Sequence, residues 1–125
     1  MRHFLWVGLG GALGSILRYG VSSFTSAYWT GPFPLATLLI NVTGCLAIGG
    51  LVPWMEGDPP MSSDWRVFLV VGILGGYTTF SAFGYETHRL LRNHQNGLAF
   101  TYVAASLLLG LAAVWLGRLL GGSFR

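Results

Sequence analysis

The sequence predicts an all-α membrane protein, four transmembrane helices in one domain over residues 1–125. Three observations predict it. Only 9% of the residues are charged and 53% are hydrophobic, whereas soluble domains carry roughly 25% charged residues. The charges fall in short zones separated by long uncharged windows. Nineteen glycines occur without a collagen period, a composition suited to close helix packing in lipid. An ordinary cytosolic enzyme is therefore not expected. The seven basic residues are all Arg and form no cluster, so no nucleic-acid partner is expected. One cysteine, Cys45, leaves no intramolecular disulfide framework and no cysteine zinc cluster.

Helix 1, about 4–24, is an apolar run to Leu17 that continues past Arg18. A cleaved signal peptide would need small residues at its cleavage site, but Arg18 stands there. Helix 2, about 34–54, fills the uncharged window between Arg18 and Glu56. Helix 3, about 66–91, has its uncharged stretch between Arg66 and Glu86. Helix 4, about 97–120, lies between Arg92 and Arg118. A bilayer core of about 30 Å takes about 20 mostly apolar helical residues, and these windows approach or reach that length. Trp29, Trp54 and Trp65 fall at helix ends or connections, where a half-wet indole is favoured. Gly and Pro at 30–34, Pro59–Pro60 and the run RNHQNG at 92–97 mark the turns.

Four spans place Arg2, Arg66, Arg118 and Arg125 on one side and Arg18, Arg89 and Arg92 on the other. Arginine bias sets orientation, and four against three is almost no bias. Two readings follow. The chain inserts both ways and pairs as an antiparallel homodimer about an axis in the membrane plane, or a weak bias fixes one orientation.

Polar residues in hydrocarbon need partners and are functional leads. Thr37 and Asn41 are four apart on one face of helix 2. They glue helices together or form a site. Helix 3 carries GGYTTFSAF at 75–83. Gly costs about 1 kcal/mol against Ala in a helix, so a break is expected near the bilayer centre. Freed carbonyls at that depth need protein, water or an ion, and a hard cation such as Na⁺ suits them. The other reading is packing through a G-x-x-x-G face of Gly72 and Gly76. Phe80 and Phe83 alternate with Thr79 and Ser81. Aromatic ring edges are positive and can line an anion path with those hydroxyls. Tyr102 and Ser106 add a second donor pair on helix 4. Arg18 is a fixed charge near a pore mouth or a snorkelling interfacial residue. Glu86 reads as a local partner of Arg89. No HExxH, P-loop or G-x-S-x-G motif is present, so the chain is not expected to be an enzyme. Small proton-coupled drug exporters depend on an embedded Glu, and helix 1 has none. A non-transporting assembly subunit is the third class.

GGALGSILRY (10–19), PLATLLINVTG (34–44) and GGYTTFSAF (75–83) together resemble the Fluc (CrcB) fluoride channel family, and the likeness spans essentially the whole chain. It implies a dual-topology antiparallel homodimer with two fluoride pores, in the inner membrane of a prokaryotic cell. Cytoplasmic fluoride would leave passively down its electrochemical gradient, relieving its toxicity. A structural, non-transported Na⁺ would sit on the two-fold axis, held by backbone carbonyls of Gly75 and Thr78. Phe80 and Phe83 would be the pore phenylalanines, with Asn41 donating to fluoride beside them. Arg18 would lie near the vestibule. Thr79, Ser81, Tyr102 and Ser106 would form a polar rail, and Thr37 would join the pathway. The partners implied are fluoride, membrane lipid and a second copy of the chain. Ala82, Gly84 and Gly110 depart from the hydroxyl-rich family pattern. A small, strongly hydrated anion needs donors to replace its water, and this residue set supplies them.

Overall fold

The computed structural model describes residues 1–124; Arg125, counted in the arginine balance, lies outside them. Every regular element among the described residues is helical. α1 (Arg2–Tyr28) ends where Trp29 turns extended, its N–H closing on the Thr25 carbonyl. The Trp29 indole then donates to the Phe33 carbonyl at 2.8 Å, tying the short proline-rich connection to the start of α2 (Leu35–Glu56). The third span starts as α-helix at Ser63–Arg66, widens to π-helical bonding over Val67–Leu74 and closes with one α turn, Gly75–Tyr77. We call residues 63–77 α3. Thr78 (φ −79°, ψ 159°) and Thr79 (φ −151°, ψ 120°) are extended, and α4 (Phe80–Arg92) follows. A tight turn with His94 at φ 57° leads into α5 (Asn96–Ser123).

Four segments are long and apolar enough to cross a membrane: Arg2–Tyr28, Leu35–Glu56, Ser63–Arg92 and Asn96–Ser123. Lipid tails give no hydrophobic drive between helices, so close backbone contact must supply the packing. Glycine provides it along two seams. α1 packs on α3, where a Cβ on Gly72 would lie 2.8 Å from the Gly10 Cα and one on Gly76 would lie 2.5 Å from the Gly11 carbonyl oxygen. The G-x-x-x-G pair of α3 is thus a packing face. α2 packs on α5, with Gly49 against the Val114 backbone and Gly117 and Gly121 against Leu46 and Gly50.

The buried core lies between α2, α4 and α5. Leu38, Leu90, Ala99 and Tyr102 form it, with Phe33 and Phe83 packed against them. At the far end, the Asp64 carboxylate lies 3.2 Å from both the Arg2 guanidinium and the His3 imidazole, which brings the start of α1 to the start of α3.

Candidate functional site

Thr78 and Thr79 fall near the middle of the Ser63–Arg92 span. Extended backbone there strands peptide groups that a helix would pair. Asn41 on α2 meets them. Its Nδ2 donates to the Thr79 carbonyl at 3.0 Å, and its Oδ1 accepts from the Thr79 N–H at 2.9 Å. One side-chain amide therefore pairs both backbone groups of one residue. Thr79 in turn caps α4, its Oγ1 accepting the Ala82 N–H at 3.2 Å. In a continuous helix the Thr79 N–H would close on Gly75 and the Ala82 N–H on Thr78. Both amides are engaged elsewhere, so the carbonyls of Gly75 and Thr78 lose their usual donors.

Two cavities meet at Thr79. The first, about 450 Å³, is lined by Asn41, Gly75, Thr78, Phe80, Phe83 and Ser106 among others. The Phe80 and Phe83 rings are 5.6 Å apart and tilted by 38°. The Ser106 hydroxyl is buried and has no hydrogen-bond partner among the described residues. The second cavity, about 590 Å³, is more polar and includes Arg18, Thr37, Ser81, Tyr85 and Glu86. The Asn41–Thr79 pair stands between the two. The residues nominated from sequence are thus divided: the phenylalanines and Ser106 on one side, Arg18, Thr37 and Ser81 on the other.

Tyr102 lines neither cavity. It is fully buried, and its hydroxyl donates to Glu86 Oε2 at 2.7 Å. Thr37 Oγ1 donates to Glu86 Oε1 at 2.8 Å. Glu86 is therefore held by helices α2 and α5, not by Arg89, the partner its spacing suggested. Sequence reasoning missed it as a site residue. The usable signal was the pair of hydroxyls in otherwise apolar windows, both facing a helix with one carboxylate. Among the described residues no group of three or more His, Cys, Asp or Glu is placed to hold a metal ion. Any cation at this depth would have to be held by carbonyl or hydroxyl oxygens.

Four apolar spans with a few polar side chains at mid-depth define a multi-pass membrane protein. Residues 5–118 match the family model described as CrcB-like protein, Camphor Resistance (CrcB). A relative from Azotobacter vinelandii is 47% identical over 116 residues, covering 93% of this chain and 94% of its own. One from Thermus thermophilus is 44% identical over 123 residues, with 98% of each covered. A third, from Acidobacterium capsulatum, is 44% identical over 118 residues, with 94% of each covered. All three are named fluoride-specific ion channel FluC. The chain belongs to the CrcB family.

Proposed function

We propose that this chain forms a fluoride-selective channel in the inner membrane of a prokaryotic cell. It exports cytoplasmic fluoride passively and so relieves fluoride toxicity. The observation that carries the reading is the mid-span arrangement around Thr79, in a chain 47% identical to a fluoride-specific ion channel. Phenylalanine rings and an unpartnered Ser106 hydroxyl flank Thr79 on one side; Arg18 and Ser81 flank it on the other. Asn41 spends one Nδ2 hydrogen on Thr79, which leaves the second for an anion. Thr37 and Tyr102 act through Glu86. Weak hydrofluoric acid enters cells neutral and ionises inside, so the negative interior drives the trapped anion outward.

The working unit is an antiparallel homodimer. In a single chain Phe80 is 84% exposed, and Gly75 and Ser81 are exposed beside it. Irregular backbone does not face lipid at this depth, so a second copy covering it explains the surface. The break in the third span is the functional centre of that dimer. Its freed Gly75 and Thr78 carbonyls, from both copies, fit a structural Na⁺, which would neutralise converging dipoles at the axis.

Reconstituted protein tests the function. Vesicles loaded with potassium fluoride should release fluoride on adding a potassium ionophore, with chloride flux near background. Equal chloride flux, or none of either ion, would sink the reading. Added Arg in the 92–97 turn should trap one orientation and abolish flux, and co-expression with an oppositely biased variant should restore it. Full flux from the trapped form alone would refute the antiparallel pair.

A further inference from the structure

We infer that Asn41 is a positioning residue for the cation site, through the Thr79 peptide, in addition to any contact it makes with the anion. The inference rests on the reading that Gly75 and Thr78 carbonyls hold Na⁺. Its basis is a competition for one hydrogen. The Thr79 N–H has two possible acceptors, the Gly75 carbonyl one helical turn back and the Asn41 Oδ1. The structure gives it to Asn41 at 2.9 Å. The same side chain holds the Thr79 carbonyl at 3.0 Å, so the peptides on both sides of the Thr79 Cα are fixed. Thr79 Oγ1 makes the parallel capture of the Ala82 N–H and releases Thr78. Thr78's own hydroxyl donates back to the Leu74 carbonyl at 2.8 Å, while its backbone oxygen is left without the Ala82 donor.

Remove Asn41 and the Thr79 N–H is left with only the Gly75 carbonyl. Backbone groups at this depth must pair, so the helix extends by one residue and a cation ligand is lost from each copy. The cation site and the anion path therefore share one side chain. Asn41 also lines the phenylalanine cavity, and no substitution that removes its acceptor oxygen spares the cation.

The chemistry separates the two roles. Asp retains an acceptor for the Thr79 N–H but, ionised, offers no donor to an anion. Leu retains neither. The test is thermal unfolding of the purified full chain across a Na⁺ series, with N-methylglucamine holding ionic strength constant. A ligand at concentration L that binds only the folded form stabilises it by RT ln(1 + L/Kd), so the Na⁺ concentration at which Tm begins to rise, near Kd, reports Na⁺ affinity.

Asn41→Leu should shift the onset of that rise to about 10- to 100-fold higher Na⁺, the usual cost of losing a group that orients a metal ligand. Asn41→Asp should hold the onset at or below the wild-type value while fluoride flux collapses. A purely packing role would lower Tm equally at every Na⁺ concentration and leave the onset in place; that result overturns the inference. A wild type indifferent to Na⁺ overturns the cation reading itself and this inference with it. If Asn41→Leu does not assemble, Thr79→Ala serves. It frees the Ala82 N–H for Thr78 and should raise the onset too, and an unmoved onset there would also overturn the shared mechanism.

Discussion

Replacing Tyr102 with Phe removes one oxygen from the best-buried side chain of the protein. Tyr102 has no exposed surface. Its ring meets Phe33 edge-on at 5.6 Å and Phe83 at 5.2 Å with a 48° tilt. Phe keeps both contacts and adds no volume, so the loss is confined to the 2.7 Å bond to Glu86. A fully buried acceptor left without its donor costs about 1–3 kcal/mol; Glu86 is half-buried, which places the loss toward the lower end, about 1 kcal/mol. Thr37→Val deletes the bond to the other oxygen and should cost a similar amount. Because both donors serve one carboxyl group, the double variant should depart from additivity by about 0.5–3 kcal/mol. Unfolding in detergent with increasing SDS, followed by the fluorescence of the five tryptophans, measures all three variants. Fluoride flux in Tyr102→Phe should stay within a few-fold of wild type, since the hydroxyl faces neither cavity. A Phe variant as stable as wild type, or strict additivity with Thr37→Val, would refute the shared-carboxyl argument.

Phe80→Ile and Phe83→Ile should each cut fluoride flux sharply while the dimer still elutes intact; unchanged flux in both removes the ring-edge role. Phe83→Ile should also lower stability the more of the two, by about 0.5–1.5 kcal/mol per ring pairing, because it loses Tyr102 as well as Phe80, whereas Phe80→Ile loses only Phe83. Gly72→Ala should destabilise by about 1–3 kcal/mol through overpacking, since its Cβ would meet the Gly10 backbone, whereas Gly8→Ala has nothing within 4 Å and should be neutral; equal losses would contradict the seam. Arg18→Gln should reduce flux most at low ionic strength, because the Debye length is about 30 Å at 0.01 M salt and about 10 Å at 0.1 M. A salt-independent loss would show that Arg18 is not steering ions.

The spans were legible because hydrocarbon imposes a one-dimensional rule. A segment of sufficient length must lack charge, and the gaps after Arg18, Arg66 and Arg92 obey it. Thr37 and Asn41 were legible as a shared face, and they do face the same way: both reach across to the third span, Thr37 to Glu86 and Asn41 to Thr79. Tyr102 and Ser106 have the same spacing and did not stay together. One is bonded to Glu86, while the other opens on the phenylalanine cavity. Helical periodicity places side chains on a face but does not say which neighbour lies opposite. Glu86 was misread for the same reason. Arg89, three residues on, is visible in the sequence; partners 49 and 16 residues distant become visible only when three helices have been brought together.

The two glycine seams join helices that are not consecutive. α1 fits α3, and α2 fits α5. During synthesis α2 enters the membrane long before its counterpart exists, and its glycine face has nothing to close against until the final helix has emerged. Assembly therefore waits on the last quarter of the chain. A nascent protein stalled after α4 would hold α1 and α3 together and tether α2 through Asn41–Thr79 and Thr37–Glu86, with its glycine face still open, which makes completion of α5 the event that closes the second seam.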